Sequence, residues 1–260
     1  MAEHIARKRF GQHFLRDADI LADMVRAIGP RPDDRMVEIG PGLGALTVPL
    51  LGRVDHLQAI ELDRDLIARL MQRFPTDRLT VHAADVLDFD FSVLGDRLRI
   101  VGNLPYNIST PLLFHLARHA PAIHDIHVML QKEVVDRMAA AAGEPARGKL
   151  SVMLQSHFDI EPLFEVPPQA FDPPPKVQSA VVRLVPLRTG TVQASDPAWF
   201  ERIVTQAFSQ RRKTLRNSLA PLFSETELAA FDIDARRRAE TLTLEEFLRI
   251  ANHPARKDKP

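Results

Sequence analysis

The sequence predicts an α/β fold built on a mostly parallel sheet, followed by a small all-helical domain. Three observations carry this reading. Short apolar runs alternate with helix-period runs over the first two-thirds of the chain, as in a parallel sheet with crossover helices. The loop Gly40-Pro41-Gly42-Leu43-Gly44 follows the first such run and opens a helix, where a doubly wound fold receives a nucleotide. Beyond Leu187 the apolar residues recur only at helical spacing.

Taken in order, Met36 to Ile39 reads as a strand, and a helix runs through Leu51 after the glycine loop. Leu57 to Leu62 is the second strand, and Asp63 caps a helix carrying Leu66, Ile67, Leu70 and Met71 on one face. Strands follow at Leu79 to His82, Leu98 to Val101 and Ile126 to Leu130, with helices at Pro111 to Arg118 and Glu133 to Ala142. Ile160 to Val166 and Ser179 to Val185 have no helix between them, which predicts an antiparallel closing hairpin. Their connection holds Pro173, Pro174 and Pro175 and is expected to be extended and stiff. Phe171, just before those prolines, either plugs the loop onto the domain or stacks on a substrate.

The domain division is placed at residues 1–187 and 188–260. Asp196-Pro197 starts a helix with Pro at its first position, and Phe200, Ile203, Val204, Ala207 and Phe208 form its apolar face. Ser224 with Glu227, and Thr243 with Glu246, match the capping-box pattern of two more helices. Residues 254–260 read as a polar tail.

Composition removes several classes. The 260 residues contain no cysteine, which excludes disulfides, thiolate zinc sites and a cysteine nucleophile, and no metal is expected. No window approaches the roughly 18 apolar residues of a membrane span, and the first residues lack a signal-peptide core, so a soluble, cytoplasmic monomer is expected. The 34 basic and 34 acidic side chains cancel. A nucleic-acid partner must therefore be argued from local clusters.

The chemistry concentrates in Asn103-Leu104-Pro105-Tyr106. An exocyclic adenine amine is a weak nucleophile because its lone pair is delocalised into the ring. The Asn103 amide oxygen and the Leu104 carbonyl, accepting its two hydrogens, would localise that pair. Pro105 fixes the direction of the carbonyl, and Tyr106 offers a stacking face for a flipped base. The glycine loop reads as Glu38-x-Gly40-x-Gly42-x-Gly44 rather than G-x-G-x-x-G, which suits S-adenosylmethionine better than a dinucleotide. Glu61 ends the second strand, where an acid meets ribose hydroxyls of either cofactor. Asp85, after the third strand, is placed to accept the adenine amine.

Together these blocks resemble the ribosomal RNA adenine N6,N6-dimethyltransferase family that acts on the small subunit. The likeness extends over nearly the whole chain. It includes residues 8–15, 37–47 and 103–109, the run Phe171-Asp172-Pro173-Pro174-Pro175-Lys176-Val177-Gln178-Ser179, and residues 207–217. The resemblance implies a Rossmann-like S-adenosylmethionine-dependent methyltransferase domain. It implies that His13 and Leu15 line the cofactor site, that Gly40, with Gly42, meets the methionine part, Glu61 the ribose and Asp85 the adenine. Asn103 would touch both cofactor and target amine. The implied substrate is two adjacent adenosines in a hairpin loop near the 3′ end of 16S rRNA, in a partly assembled small subunit. His13 stands where asparagine is frequent, and Gly148-Lys149 departs from the family's usual aromatic-glycine-arginine run.

Arg211, Arg212, Lys213 and Arg216 are expected to end a helix and contact phosphate. Arg7, Lys8 and Arg9 form another cluster, and Arg236, Arg237 and Arg238 read as a solvated face. Two alternatives stand beside this reading. A large-subunit rRNA methylase of the antibiotic-resistance type is opposed by Gln210 to Lys213, and a dinucleotide-dependent oxidoreductase has no use for Asn103 to Tyr106.

Overall fold

The computed structural model describes residues 13–187, 193–210 and 212–253. Residue contacts divide the chain into two compact units. One runs to Val135 and takes up Asp159–Pro186; the other comprises Asp136–Phe158 and the chain from Leu187 onward. The end of the first unit lies beside the boundary expected near residue 187. Residues 136–158 group with the second unit instead of continuing the first.

In the first unit the chain gives β1 (Phe14–Leu15), α1 (Ala18–Ile28), β2 (Met36–Ile39), α2 (Thr47–Leu51), β3 (Leu57–Glu61), α3 (Arg64–Arg73), β4 (Leu79–Ala83), β5 (Leu98–Asn103), α4 (Ser109–Arg118) and β6 (Ile123–Gln131). α5 (Lys132–Ala139), which crosses the division, and α6 (Lys149–Gln155), which belongs to the second unit, precede β7 (Phe158–Val166), β8 (Phe171–Asp172) and β9 (Ser179–Pro186). The main sheet has the order β4-β3-β2-β5-β6-β9-β7. β2 to β6 are parallel, and β9 closes antiparallel on β6, with Val182 opposite Val128.

β2 is fully buried, as expected of a strand covered on both faces. It pairs with β3 on one side and β5 on the other, so the connections diverge above its carboxyl end. That is the switch point at which such sheets bind ligands. Gly102 permits the close approach of β5 there: a Cβ would lie 2.5 Å from the Ile39 carbonyl oxygen, closer than real side chains come. At the opposite end, Arg99 pins the sheet by bonding Asp125 and the Ile28 carbonyl that ends α1.

Asp63 caps α3 as predicted, accepting the Asp65 N–H at 3.0 Å. α1 was not anticipated. Asp17 caps it, accepting the N–H groups of Asp19 and Ile20, and Met24 and Ile28 enter the core. β1 and β8 form a separate two-stranded sheet, Leu15 opposite Phe171.

In the second unit, α7 (Pro197–Ala207) begins at the Asp196 cap with Pro197 at its first position. α8 (Leu215–Ser218) is short, and α9 (Glu225–Ala230) and α10 (Leu244–Asn252) carry the capping boxes of Ser224 with Glu227 and Thr243 with Glu246. Arg147, 4% exposed, donates to the carbonyls of Ala140 and Leu242 and to Gln155, tying α6 to the helical segment.

Candidate active site

The carboxyl ends of β2, β3, β4 and β5 open into a cavity of about 640 Å³, in the range of small-molecule sites. His13, Leu15, Gly40, Gly42, Glu61, Asp85, Asn103, Leu104 and Tyr106 all line it. Strand order explains how Gly40 and Asn103, far apart in sequence, meet: β3, β2 and β5 are neighbours and all end at the same edge.

The glycine loop rises from β2 with left-handed backbone at Gly40 and Gly42. A Cβ on Gly42 would sit 3.2 Å from the Phe14 ring, so the bare backbone is what fits between that ring and the cavity. Glu61 organises the floor. Its Oε1 accepts the N–H groups of Leu62 and Asp63, each at 2.9 Å, and Oε2 accepts that of Gly42 at 3.3 Å. Burial raises the Glu61 carboxyl above its ordinary value even against these donors. The long Gly42 bond leaves Oε2 the less engaged oxygen, suited to a ribose hydroxyl. Asp85 binds the Leu87 N–H through Oδ1, and its Oδ2 takes no hydrogen bond among the described residues.

Glu38 opens the glycine motif. It is 2% exposed, lines the cavity and accepts the Thr47 hydroxyl at 2.7 Å. Burial pushes its carboxyl up to about 7, opposed by the Thr47 bond and reinforced by Glu61. Only its place as the first acid of Glu38-x-Gly40-x-Gly42 could have flagged it.

Asn103 closes the cavity at the end of β5. Its Nδ2 donates to the His13 carbonyl at 2.9 Å, so Oδ1 is the face left over, and it takes no hydrogen bond among the described residues. The Pro105 carbonyl is used by the Ile108 N–H and the Ser109 hydroxyl. The Leu104 carbonyl accepts none among the described residues. Asn103 and Leu104, both lining the cavity, therefore each keep an acceptor with open capacity. The Tyr106 hydroxyl is bonded to Ser179 at 2.6 Å, and its ring stacks on His13 with centroids 5.5 Å apart.

Phe171 does not take the stacking position. It is 4% exposed and packed in the apolar cluster with Leu15, Ala170 and Val181, because β8 pairs with β1 and turns it inward. It plugs the loop onto the sheet, the other of its two expected roles.

Lys149 pairs with Glu201 at 2.9 Å. Arg211 lies outside the described residues. Arg212, Lys213 and Arg216 are exposed, following α7 by several residues instead of ending it. Arg216 is paired with Glu225 at 2.7 Å. Thr214 bridges Arg238, which brings Arg212 and Lys213 alongside the third basic cluster in the second unit. There Arg237 is bound to Glu246 and Arg236 to Asp234.

The cavity carries the carboxyls of Glu38, Glu61, Asp63 and Asp85, and among the described residues the one arginine or lysine lining it, Arg16, is paired with Asp172 at 2.6 Å. That field suits a sulfonium with an ammonium group. Switch-point sheet, bare glycine loop and acidic cavity together define a Rossmann-like S-adenosylmethionine-dependent methyltransferase. The family described as ribosomal RNA adenine dimethylase matches residues 3–256, and the chain belongs to it. The chain is 58% identical over 252 residues to ribosomal RNA small subunit methyltransferase A of Thiobacillus denitrificans, covering 97% of this chain and 99% of that protein. Its counterpart in Dechloromonas aromatica is 54% identical over 253 residues, with coverage of 97% and 99%. Among solved structures, a dimethyladenosine transferase from Plasmodium falciparum superposes with a TM-score of 0.81 at 26% identity, over 92% of this chain and 96% of that one. The 23S rRNA methyltransferase ErmE gives 0.72 at 26% identity, over 91% and 97%.

Proposed function

We propose that the protein dimethylates the N6 amines of two adjacent adenosines in a hairpin loop near the 3′ end of 16S rRNA, within a partly assembled small ribosomal subunit. The observation that carries this reading is the pair of open acceptors, Asn103 Oδ1 and the Leu104 carbonyl, at the wall of an acidic cavity. The curated relatives, small-subunit enzymes by name, favour this target over the large subunit.

When bound, S-adenosylmethionine supplies a methyl group that is already electrophilic on its sulfonium. Gly40, Gly42, Glu38, Glu61 and Asp85 would hold it. The task left to the catalytic loop is to orient and polarise the amine. Asn103 and Leu104 take its two N–H groups and turn its lone pair towards the methyl. Tyr106 supplies the face on which the flipped base rests, and its hydroxyl, engaged by Ser179, is not offered to the amine. The nitrogen turns cationic as its pair is used, and then gives its proton to solvent. For the second transfer one N–H remains, held by one acceptor while the methyl occupies the other direction.

The second unit would dock on neighbouring RNA through Arg211, Arg212, Lys213 and Arg216. Sparse aromatics, one Trp and one Tyr in the chain, favour reading RNA by shape with a single flipped base. We infer a monomer acting in the cytoplasm. Among the described residues, no helix is long and apolar enough to cross a membrane.

The test supplies labelled cofactor to small-subunit particles lacking the modification and, in parallel, to large-subunit RNA and to an isolated hairpin, then maps the labelled positions and identifies the modified nucleosides. N6,N6-dimethyladenosine from two neighbouring positions is expected. Label confined to large-subunit RNA, or equal dimethylation of an isolated hairpin, would overturn the proposed substrate.

A further inference from the structure

Three contacts meet at His13. Its carbonyl accepts the Asn103 Nδ2–H at 2.9 Å, and its ring lies over Tyr106 with planes inclined by 29°. Its Nδ1 is 2.7 Å from the Pro173 carbonyl, which can only accept, so the ring proton on that side is assigned to Nδ1. Directly after it, Phe14 and Leu15 pair with Asp172 and Phe171. The segment entering the cavity at His13 is thus fastened to the loop before β9, and both chemical residues of the catalytic loop lean on it.

We propose that His13 is a positioning residue for the target base: its carbonyl fixes which way the Asn103 amide faces, and its ring backs Tyr106. The inference rests on the roles given above to Asn103 and Tyr106. The terminal torsion of an asparagine is broad and nearly two-fold, so nothing intrinsic separates the two amide orientations. Here a flip would set Oδ1 against the His13 oxygen, two acceptors face to face, and would withdraw the acceptor from the cavity. Tyr106 is restrained in the same manner. With one face against His13 and its hydroxyl on the fully buried Ser179, the ring meets an arriving base already ordered. The His13 carbonyl and Nδ1 are both committed inside the protein, which moves its main effect from the cofactor to the amine.

Tyr106 is the single tyrosine of the chain, so tyrosine signals report on this place alone. Its hydroxyl ionises above the ordinary tyrosine value because the ring is buried, with the Ser179 bond acting the other way. In His13→Ala, turnover at saturating cofactor and RNA should fall about tenfold to a hundredfold, as for a small misplacement of reacting groups. S-adenosylhomocysteine affinity by calorimetry should stay within about threefold of the parent. The tyrosinate midpoint should drop towards the ordinary value as the ring is uncovered, and His13→Phe, which restores the stack, should recover most of the turnover. In a Tyr106→Ala background, His13→Ala should cost less than about twofold more, because coupled residues do not lose their effects twice. A cofactor affinity that falls with turnover unchanged at saturation, or fully additive losses in the double variant, would overturn the inference. If Asn103→Ala and Tyr106→Ala lose activity while His13→Ala does not, this inference alone fails. If those two variants turn over normally, the reading of the loop fails and this inference with it.

Discussion

Tyr106 and Ser179 share a hydroxyl-to-hydroxyl hydrogen bond of 2.6 Å, with the serine fully buried at the start of β9. The loop after β5 is thereby bound to the strand that closes the sheet. The tyrosine is left with its ring as the part that can serve a base.

Tyr106→Phe should therefore reduce methyl transfer modestly, while Tyr106→Ala should remove the stacking face and cost roughly 1–3 kcal/mol of base binding. Steady-state kinetics with small-subunit particles measures both. Equal losses would assign the role to the hydroxyl.

Glu61 holds three backbone N–H groups and faces the cavity. Glu61→Ala should weaken S-adenosylmethionine by about 1.5–3 kcal/mol, the scale of hydrogen bonds to a charged group. Calorimetry on the folded variant checks this, and unchanged affinity would remove Glu61 from the cofactor site.

Glu38 gives a pH dependence of definite sign. Its carboxyl is raised by burial from 4.5 to about 7, so across that window the folded state keeps a proton the unfolded chain has lost. Stability then falls as pH rises through the window, by up to roughly 3 kcal/mol. Glu38→Gln should accordingly stabilise the free protein at pH 8 and change little at pH 4. Denaturant titrations at the two values read the difference, and a variant no more stable at pH 8 than the parent would contradict it.

Arg212 and Lys213 are exposed. Replacing both with alanine should leave cofactor binding intact and flatten the slope of log affinity against log salt by about 1 to 2 units. An unchanged slope would return them to an ordinary solvated face. Arg216 is the weaker choice for this test, since Glu225 already pairs with it.

The strands were legible because β2, β3 and β5 are short apolar runs bounded by charge and turn residues, and the caps at Asp63, Ser224 and Thr243 because their partners are local. Glu61, Asp85 and Asn103 could be grouped in advance, since strand ends of a parallel sheet share one edge. What stayed hidden depends on contacts distant in sequence. β1 is two residues long and exists only through β8, so nothing local announced that Phe171 would be turned inward. Glu38 looked like one acid in a motif until burial beside Thr47 and Glu61 made it distinctive. Residues 136–158 read as a continuation of the first domain because sequence order cannot show which unit buries Leu150, Val152 and Leu154.

The central claim is that Asn103, with its Nδ2 held by His13, presents Oδ1 to the target amine. Single-turnover methyl transfer to unmodified small-subunit particles, at saturating cofactor and particle, tests it most directly. Asn103→Ala should slow that step by roughly 10²-fold or more, as for loss of one oriented transition-state hydrogen bond. A rate near that of the parent protein would contradict the account.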